Sequence, residues 1–153
     1  MRIEKASTKD LDEIYEIELE CFRDEAYSRW LYRWLLKDKK TIFLKAVVDG
    51  RIAGFAVARV EKKVLDRDLI GRIYTLNVRR DFRRMGVGKE LMKALERELE
   101  RRGCRKIVLE VSVENIPAIN LYKSLGYRIE KRIKWYYGPR RDAYRAVKQI
   151  SRG

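Results

Sequence analysis

Ile73-Tyr-Thr-Leu-Asn-Val-Arg-Arg-Asp-Phe-Arg-Arg-Met-Gly-Val-Gly-Lys-Glu-Leu-Met92 decides how this chain folds. It reads as a buried strand, a basic turn with two spaced glycines, and the start of a strong helix. Arg83-x-x-Gly86-x-Gly88 falls at the junction, where the amides of a helix N-terminus have no intrahelical partner. Those amides and the positive end of the helix dipole together favour an anion. Glycine in such a turn lets the backbone approach a phosphate without a Cβ in the way.

Outward from this stretch, the pattern predicts a strand over residues 1–6 and a Ser7–Asp10 capping box. A helix follows with Leu11, Ile14, Tyr15 and Glu18 at helical spacing. Residues 23–27 break that period, and residues 28–37 predict a second helix carrying Trp30, Leu31, Trp34 and Leu35. Residues 41–48 and 51–62 form a predicted hairpin around Asp49-Gly50, with Gly54 marking a bulge or close packing. A strand over 72–78 leads to the helix 87–102, which has Leu91, Met92, Leu95 and Leu99 on one face and Gly103 as its stop. A strand at 106–113 and a helix from Pro117 to Leu125, ended by Gly126, come next. Residues 127–137 and 143–150 should close the chain as a hairpin joined by Gly138-Pro-Arg-Arg-Asp142. The order βααβββαβαββ predicts an α/β fold: one domain over residues 1–153, a mixed central sheet with helices on both faces.

Composition removes many chemistries. Among 153 residues there is no histidine, which excludes Ser-His-Asp and Cys-His catalysis and histidine-ligated metals. The two cysteines, Cys21 and Cys104, can build neither a four-thiolate zinc site nor a disulfide framework, so no metal is expected and both thiols are read as reduced. Lys and Arg number 37 against 23 Asp and Glu, a net charge of +14. Many charges of both signs with a single glutamine suit a thermophile surface, and the same field would favour a polyanionic ligand. No stretch reaches the ~20 apolar residues of a membrane span and no leader is recognisable at the N-terminus, so a cytoplasmic protein without a membrane partner is expected.

The Arg83–Gly88 turn is followed by Leu109-Glu-Val-Ser-Val-Glu-Asn-Ile-Pro-Ala-Ile-Asn-Leu-Tyr-Lys-Ser-Leu-Gly-Tyr127. Together they resemble the GNAT superfamily of acetyl-CoA-dependent N-acetyltransferases, whose turn of the form Gln/Arg-x-x-Gly-x-Gly/Ala precedes Asn-x-x-Ala-x-x-Leu-Tyr-x-x-x-Gly-Phe/Tyr. Here Asn115, Ala118, Leu121, Tyr122, Gly126 and Tyr127 fill the second motif. Leu109-Glu110-Val111 and Trp135-Tyr136-Tyr137 with Asp142-Ala143-Tyr144 look like the protein N-terminal acetyltransferases, including the ribosomal-protein alanine type. Arg140-Arg141 departs from the acidic or glycine residues usual before that aspartate.

The resemblance implies acetyl-CoA as co-substrate. Its pyrophosphate would lie on Arg83, Arg84, Met85, Gly86, Val87, Gly88 and Lys89, and its pantetheine arm along Leu76, Asn77 and Val78 as an added strand. Asn115 would bind a pantetheine amide, and Tyr122 would protonate the departing thiolate. Glu110, or Glu25 in the segment between the first helices, would serve as base. An α-amine with pKa near ~8, against ~10.4 for lysine, needs only a modest one. Tyr27, Tyr136 and Tyr137, with Glu25, would hold the acceptor. That acceptor is a protein N-terminus or, alternatively, a small amine or a lysine. A basic nucleic-acid-binding module on the same fold is the reading from a different class. A nucleic-acid partner is not expected, ribosome association stays open, and the chain is expected to be a monomer or weak homodimer.

Overall fold

The computed structural model describes residues 1–22, 26–62 and 68–150. Its strands are β1 (Arg2–Lys5), β2 (Thr41–Val48), β3 (Arg51–Lys62), β4 (Leu69–Val78), β5 (Cys104–Ser112), β6 (Arg128–Ile133) and β7 (Ala143–Gln149). Its helices are α1 (Leu11–Cys21), α2 (Arg29–Lys37), α3 (Val87–Arg101) and α4 (Ile116–Ser124). The strands make one seven-stranded sheet in the order β1-β2-β3-β4-β5-β7-β6. Neighbours are antiparallel except β4 and β5, which run parallel across the α3 crossover. The α/β class, the element order and the mixed sheet are as the sequence pattern predicted.

Side-chain size on β3 assigns the two faces. Phe55 and Val57 pack with Ile14 and Ile17 of α1 and Tyr32 and Leu35 of α2. Ala56 and Ala58 point the other way, toward Leu91, Met92, Leu95 and Leu99 of α3. Small residues there let α3 lie close to the sheet, and Gly71 extends the effect, because a Cβ on it would sit 2.7 Å from Leu99 Cδ1. The β2–β3 turn takes left-handed backbone at Asp49 (φ 51°) and Gly50 (φ 76°), the geometry of a primed two-residue hairpin. Gly54 meets both expectations placed on it. It adjoins a register slip that leaves Ala53 as an extra residue, and a Cβ on it would lie 2.5 Å from the Asn77 carbonyl oxygen.

The faces of α2 go beyond the sequence pattern, and one expectation needs correction. On α2, Tyr32 and Leu35 face the core while Trp30 is 73% and Trp34 43% exposed. Tyr32 can go inside because its hydroxyl meets a buried carboxylate, whereas Trp34 lies under the Arg59 guanidinium at 5.1 Å. The last hairpin is shorter than predicted. β6 ends at Ile133, since Trp135 takes φ 59° and cannot continue a strand. The Asp142 carboxylate instead accepts the Trp135 N–H at 2.9 Å and Arg132 Nε at 2.8 Å, which folds residues 134–142 into a clamped loop carrying Tyr136 and Tyr137.

The decisive feature is where pairing stops. β4 and β5 are in register only from Leu69–Cys104 to Arg72–Val108. Beyond that point β4 stays with β3 as far as Val78, and β5 stays with β7 as far as Ser112. Tyr74 has no partner on β3, where Val57 pairs with Thr75 and Ala58 with Ile73, so a bulge bends β4 just as the strands part. A wedge opens in the middle of the sheet.

Candidate active site

A cavity of about 560 Å³ occupies the wedge. Tyr74, Thr75 and Leu76 line it from β4, Glu110 and Val111 from β5, and Asn115, Ala118 and Tyr122 from α4. Glu18, Phe22 and Tyr27 line it from α1 and the segment after it, and Tyr137 and residues 139–142 from the last loop. Five of the predicted site residues outside β4 thus meet in one cavity: Glu110, Asn115, Tyr122, Tyr27 and Tyr137. Glu25 lies outside the described residues.

Just past the end of β4, the predicted anion-binding turn has the required backbone. Arg84 (φ 65°) and Gly86 (φ 79°) are left-handed, and Gly86 is the N-cap of α3. The helix bond from Glu90 N–H to the Gly86 carbonyl leaves the amides of Val87, Gly88 and Lys89 ahead of it, at the positive end of a helix of 15 residues. The two glycines serve different ends. Nothing lies within 4 Å of a Cβ on Gly86, so its conformation is what matters there. A Cβ on Gly88 would meet Leu121, Leu76 and Val78 at 3.3 to 3.7 Å, so Gly88 is small in order to pack α3 against α4 and β4. Arg83 Nε donates to the Val78 carbonyl at 3.3 Å, while Arg84, Met85 and Lys89 are exposed.

Tyr122 is buried, packs on Tyr127 with ring centroids 5.8 Å apart, and is pushed above the ordinary phenol pKa of 10 by burial alone. The phenol therefore keeps its proton at neutral pH, the state a proton donor needs. Asn115 caps α4, its side-chain oxygen accepting the Ala118 N–H at 3.3 Å, with its amide nitrogen left for a ligand. Glu110 is held firmly. Its side chain is 6% exposed; Oε1 accepts from Arg72 at 2.7 Å and from the Tyr136 hydroxyl at 3.4 Å, and Oε2 from Arg145 at 2.8 Å. An ionised carboxylate has about four acceptor positions, so one remains on Oε2.

Tyr136 is not among the residues lining the cavity and adjoins it through Glu110 and Tyr137. Tyr136 and Tyr137 stand edge to face at 4.9 Å, and the Tyr27 hydroxyl donates to the Tyr74 carbonyl at 3.3 Å. Burial, then the neighbouring Tyr136 and Glu18, raises the Tyr27 phenol from 10 to about 12. Of the β4 segment predicted to face a cofactor, Leu76 lines the cavity, but the Asn77 side chain turns inward. Asn77 is 1% exposed and donates to Glu18 at 2.6 Å, so only its backbone is available to a ligand. Glu18 itself was not predicted as a site residue, although a glutamate in the apolar spacing of α1 was the signal for it. Both thiols are free, and burial raises the pKa of each. No group of three or more metal-ligating side chains occurs among the described residues, and none of their helices is long and apolar enough to cross a membrane.

The acetyltransferase (GNAT) family matches residues 11–127. An N-alpha-acetyltransferase of Sulfurisphaera tokodaii is 33% identical over 150 residues, covering 94% of this chain and 89% of the relative. N-alpha-acetyltransferase 30 of Dictyostelium discoideum is 32% identical over 144 residues, covering 94% and 74%. Among solved structures, the ribosomal-protein-S18-alanine N-acetyltransferase of Escherichia coli superposes with a TM-score of 0.85 at 29% identity, covering 99% of this chain and 95% of the other.

Proposed function

The chain belongs to the acetyltransferase (GNAT) family, and from that premise we propose that it acetylates the N-terminal α-amine of a polypeptide by direct transfer within a ternary complex. The observation that carries this reading is the wedge itself. Its cavity is lined by Asn115 and Tyr122 from α4, by Tyr27 from the segment after α1 and by Tyr137 from the last loop, so a cofactor arm and an acceptor can meet in one space. Being named N-alpha-acetyltransferases, the relatives favour a protein N-terminus as the second ligand.

The residues present fit acetyl-CoA. When bound, it supplies an activated acetyl thioester. The left-handed backbone at Arg84 and Gly86, the first amides of α3, and Lys89 would hold its pyrophosphate, and the unpaired edge of β4 from Tyr74 onward would take an extended amide arm as an added strand. Asn115 would fix that arm. The acceptor nitrogen forms its bond to the acetyl carbon as the carbon–sulfur bond breaks, and Tyr122 gives its hydroxyl proton to the departing sulfur. Glu110 takes the amine proton through a water on its remaining acceptor position. Tyr27, Tyr136 and Tyr137 hold the first residues of the acceptor.

The deciding experiment compares a peptide with a free α-amine against its N-terminally blocked twin containing an internal lysine, assayed by thiol release. The α-amine peptide should turn over faster. Faster acetylation of the blocked peptide would move the enzyme among the lysine or general amine acetyltransferases.

A further inference from the structure

Glu18 is 1% exposed on α1, among the largest fully buried side chains of the protein, and it is a carboxylate. Its donors come from three separate parts of the chain. Oε1 accepts the Tyr32 hydroxyl of α2 at 2.5 Å and the Asn77 amide of β4 at 2.6 Å, while Oε2 accepts the Tyr27 backbone N–H at 2.8 Å. The Thr75 hydroxyl donates to Asn77 Oδ1 at 2.6 Å and extends the network along β4. Among the described residues, no lysine or arginine pairs with Glu18. A buried carboxylate held only by neutral donors is expensive, and replacing such clusters by apolar groups is often neutral or stabilising. Stability alone does not account for it.

Its position does. Glu18, Tyr27 and Thr75 all line the cavity. Tyr27 is tied at both ends: its backbone N–H to Glu18, its hydroxyl to the carbonyl of Tyr74 at the β4 bulge. We infer that Glu18 is a positioning residue for the acceptor. It fixes Tyr27, and with it the wall that receives the acceptor, against the strand that bends to open the wedge. Glu18 does not touch the reacting atoms and acts through Tyr27. This rests on reading the Tyr27 side of the cavity as the acceptor side.

Steady-state kinetics of Glu18→Gln, Tyr32→Phe and Tyr27→Ala test it, using whichever amine the wild type turns over fastest. Failure of the α-amine assignment then leaves this test standing. Glutamine keeps the shape but sets an N–H against a donor. Glu18→Gln should raise the acceptor KM about tenfold, the effect of losing one charge-assisted hydrogen bond. Its kcat should stay within about twofold, and its CoA affinity by calorimetry should be unchanged. Tyr32→Phe keeps the ring against Phe43 and Phe55 and loses one donor, so it should shift KM in the same direction by less. In a Tyr27→Ala background, Glu18→Gln should add nothing further to KM, an outcome that a merely structural role would not produce. An unchanged KM in folded Glu18→Gln overturns the inference, as does a joint loss of kcat and CoA affinity, or full additivity with Tyr27→Ala. Should Glu18→Gln fail to fold, Tyr32→Phe in the Tyr27→Ala background decides between the same outcomes.

Discussion

Replacing Glu110 by glutamine separates two things this side chain can do, brace the wedge and carry a proton. The carboxylate is 6% exposed and grips Arg72 at 2.7 Å and Arg145 at 2.8 Å. Hydrogen bonds to charged groups contribute about 1.5–3 kcal/mol each, and guanidiniums that are 30% and 28% exposed call for the lower end of that range. Glutamine keeps one acceptor oxygen and turns an amide N–H toward the other cation. Arg72 keeps Glu61 at 3.0 Å, whereas Arg145 has no other acidic partner among the described residues, so the Arg145 contact is the one lost. A loss of about 1.5 kcal/mol lowers the melting temperature of a domain this size by about 3–6 °C. If Glu110 also takes the amine proton, kcat falls about 100-fold or more below the pKa of the acceptor, near ~8, and recovers above it as the amine loses its proton unaided. Scanning calorimetry and thiol release from about pH 6.5 to about pH 10 read both. A variant that melts with the wild type refutes the bracing argument. One that melts early but keeps the shape of the wild-type pH profile refutes proton transfer through Glu110.

Tyr122→Phe removes only a phenol proton from a ring already packed on Tyr127, so CoA affinity should hold while turnover falls about 10²–10⁴-fold; wild-type turnover with chemistry limiting would reduce Tyr122 to packing. Gly86→Glu strains a left-handed position (φ 79°) at a cost of about 1–2 kcal/mol and puts a carboxylate at the N-terminus of α3. It should abolish CoA binding by calorimetry, and unchanged affinity in a folded variant would remove the anion site. Alkaline titration should unfold the protein, because Tyr27, at about 12, and Tyr32, Tyr122, Tyr127 and Tyr137, all above 10, bind their protons more tightly when folded, burial being the largest cause for each. That stabilisation is complete below pH about 10, the unfolded value, and is lost as pH rises from there through the folded values. Tyrosinate absorbance and loss of circular dichroism should therefore coincide, and full ionisation with the fold intact would contradict the burial.

Local pattern determined most of this fold. Leu91, Met92, Leu95 and Leu99 made α3 legible, Asp49-Gly50 the hairpin, and the two motifs around Gly86 and Tyr122 the turn into α3 and the α4 wall of the wedge. What stayed hidden depends on partners distant in sequence. Tyr32 faces the core because Glu18, 14 residues away, accepts a hydrogen bond from its hydroxyl. Asn77 turns inward toward the same carboxylate from a separation of 59. The β4 bulge at Tyr74 leaves no trace in the alternation of Ile73 through Val78, since it is defined by pairing with β3. Trp135 leaves the strand because Asp142 captures its N–H, and a left-handed tryptophan is not something a strand-like run of aromatics announces. Glu110 was identifiable by motif, but its grip on Arg72 and Arg145 arises only when β4, β5 and β7 lie side by side.

The charge excess can be read through the same geometry. Carboxylates around the sheet are largely taken up: Asp10 and Glu4 by Lys45, Glu13 and Glu16 by Arg79, Asp38 by Arg59, Glu96 by Lys148, and Glu61 and Glu110 by Arg72. Networks of this kind suit stability at high temperature, where the cost of desolvating ions falls. The turn before α3 is different. Arg83, Arg84 and Lys89 have no acidic partner among the described residues, and they surround helix amides that are themselves electropositive. Cations also stand without an acidic partner elsewhere among the described residues, on Arg33, Lys93, Arg97 and Arg128 among others, so what sets the turn apart is the electropositive helix terminus that its cations surround. Ion-pair networks around the sheet and a basic turn at the N-terminus of α3 are compatible features of one composition, because they involve different arginines and lysines.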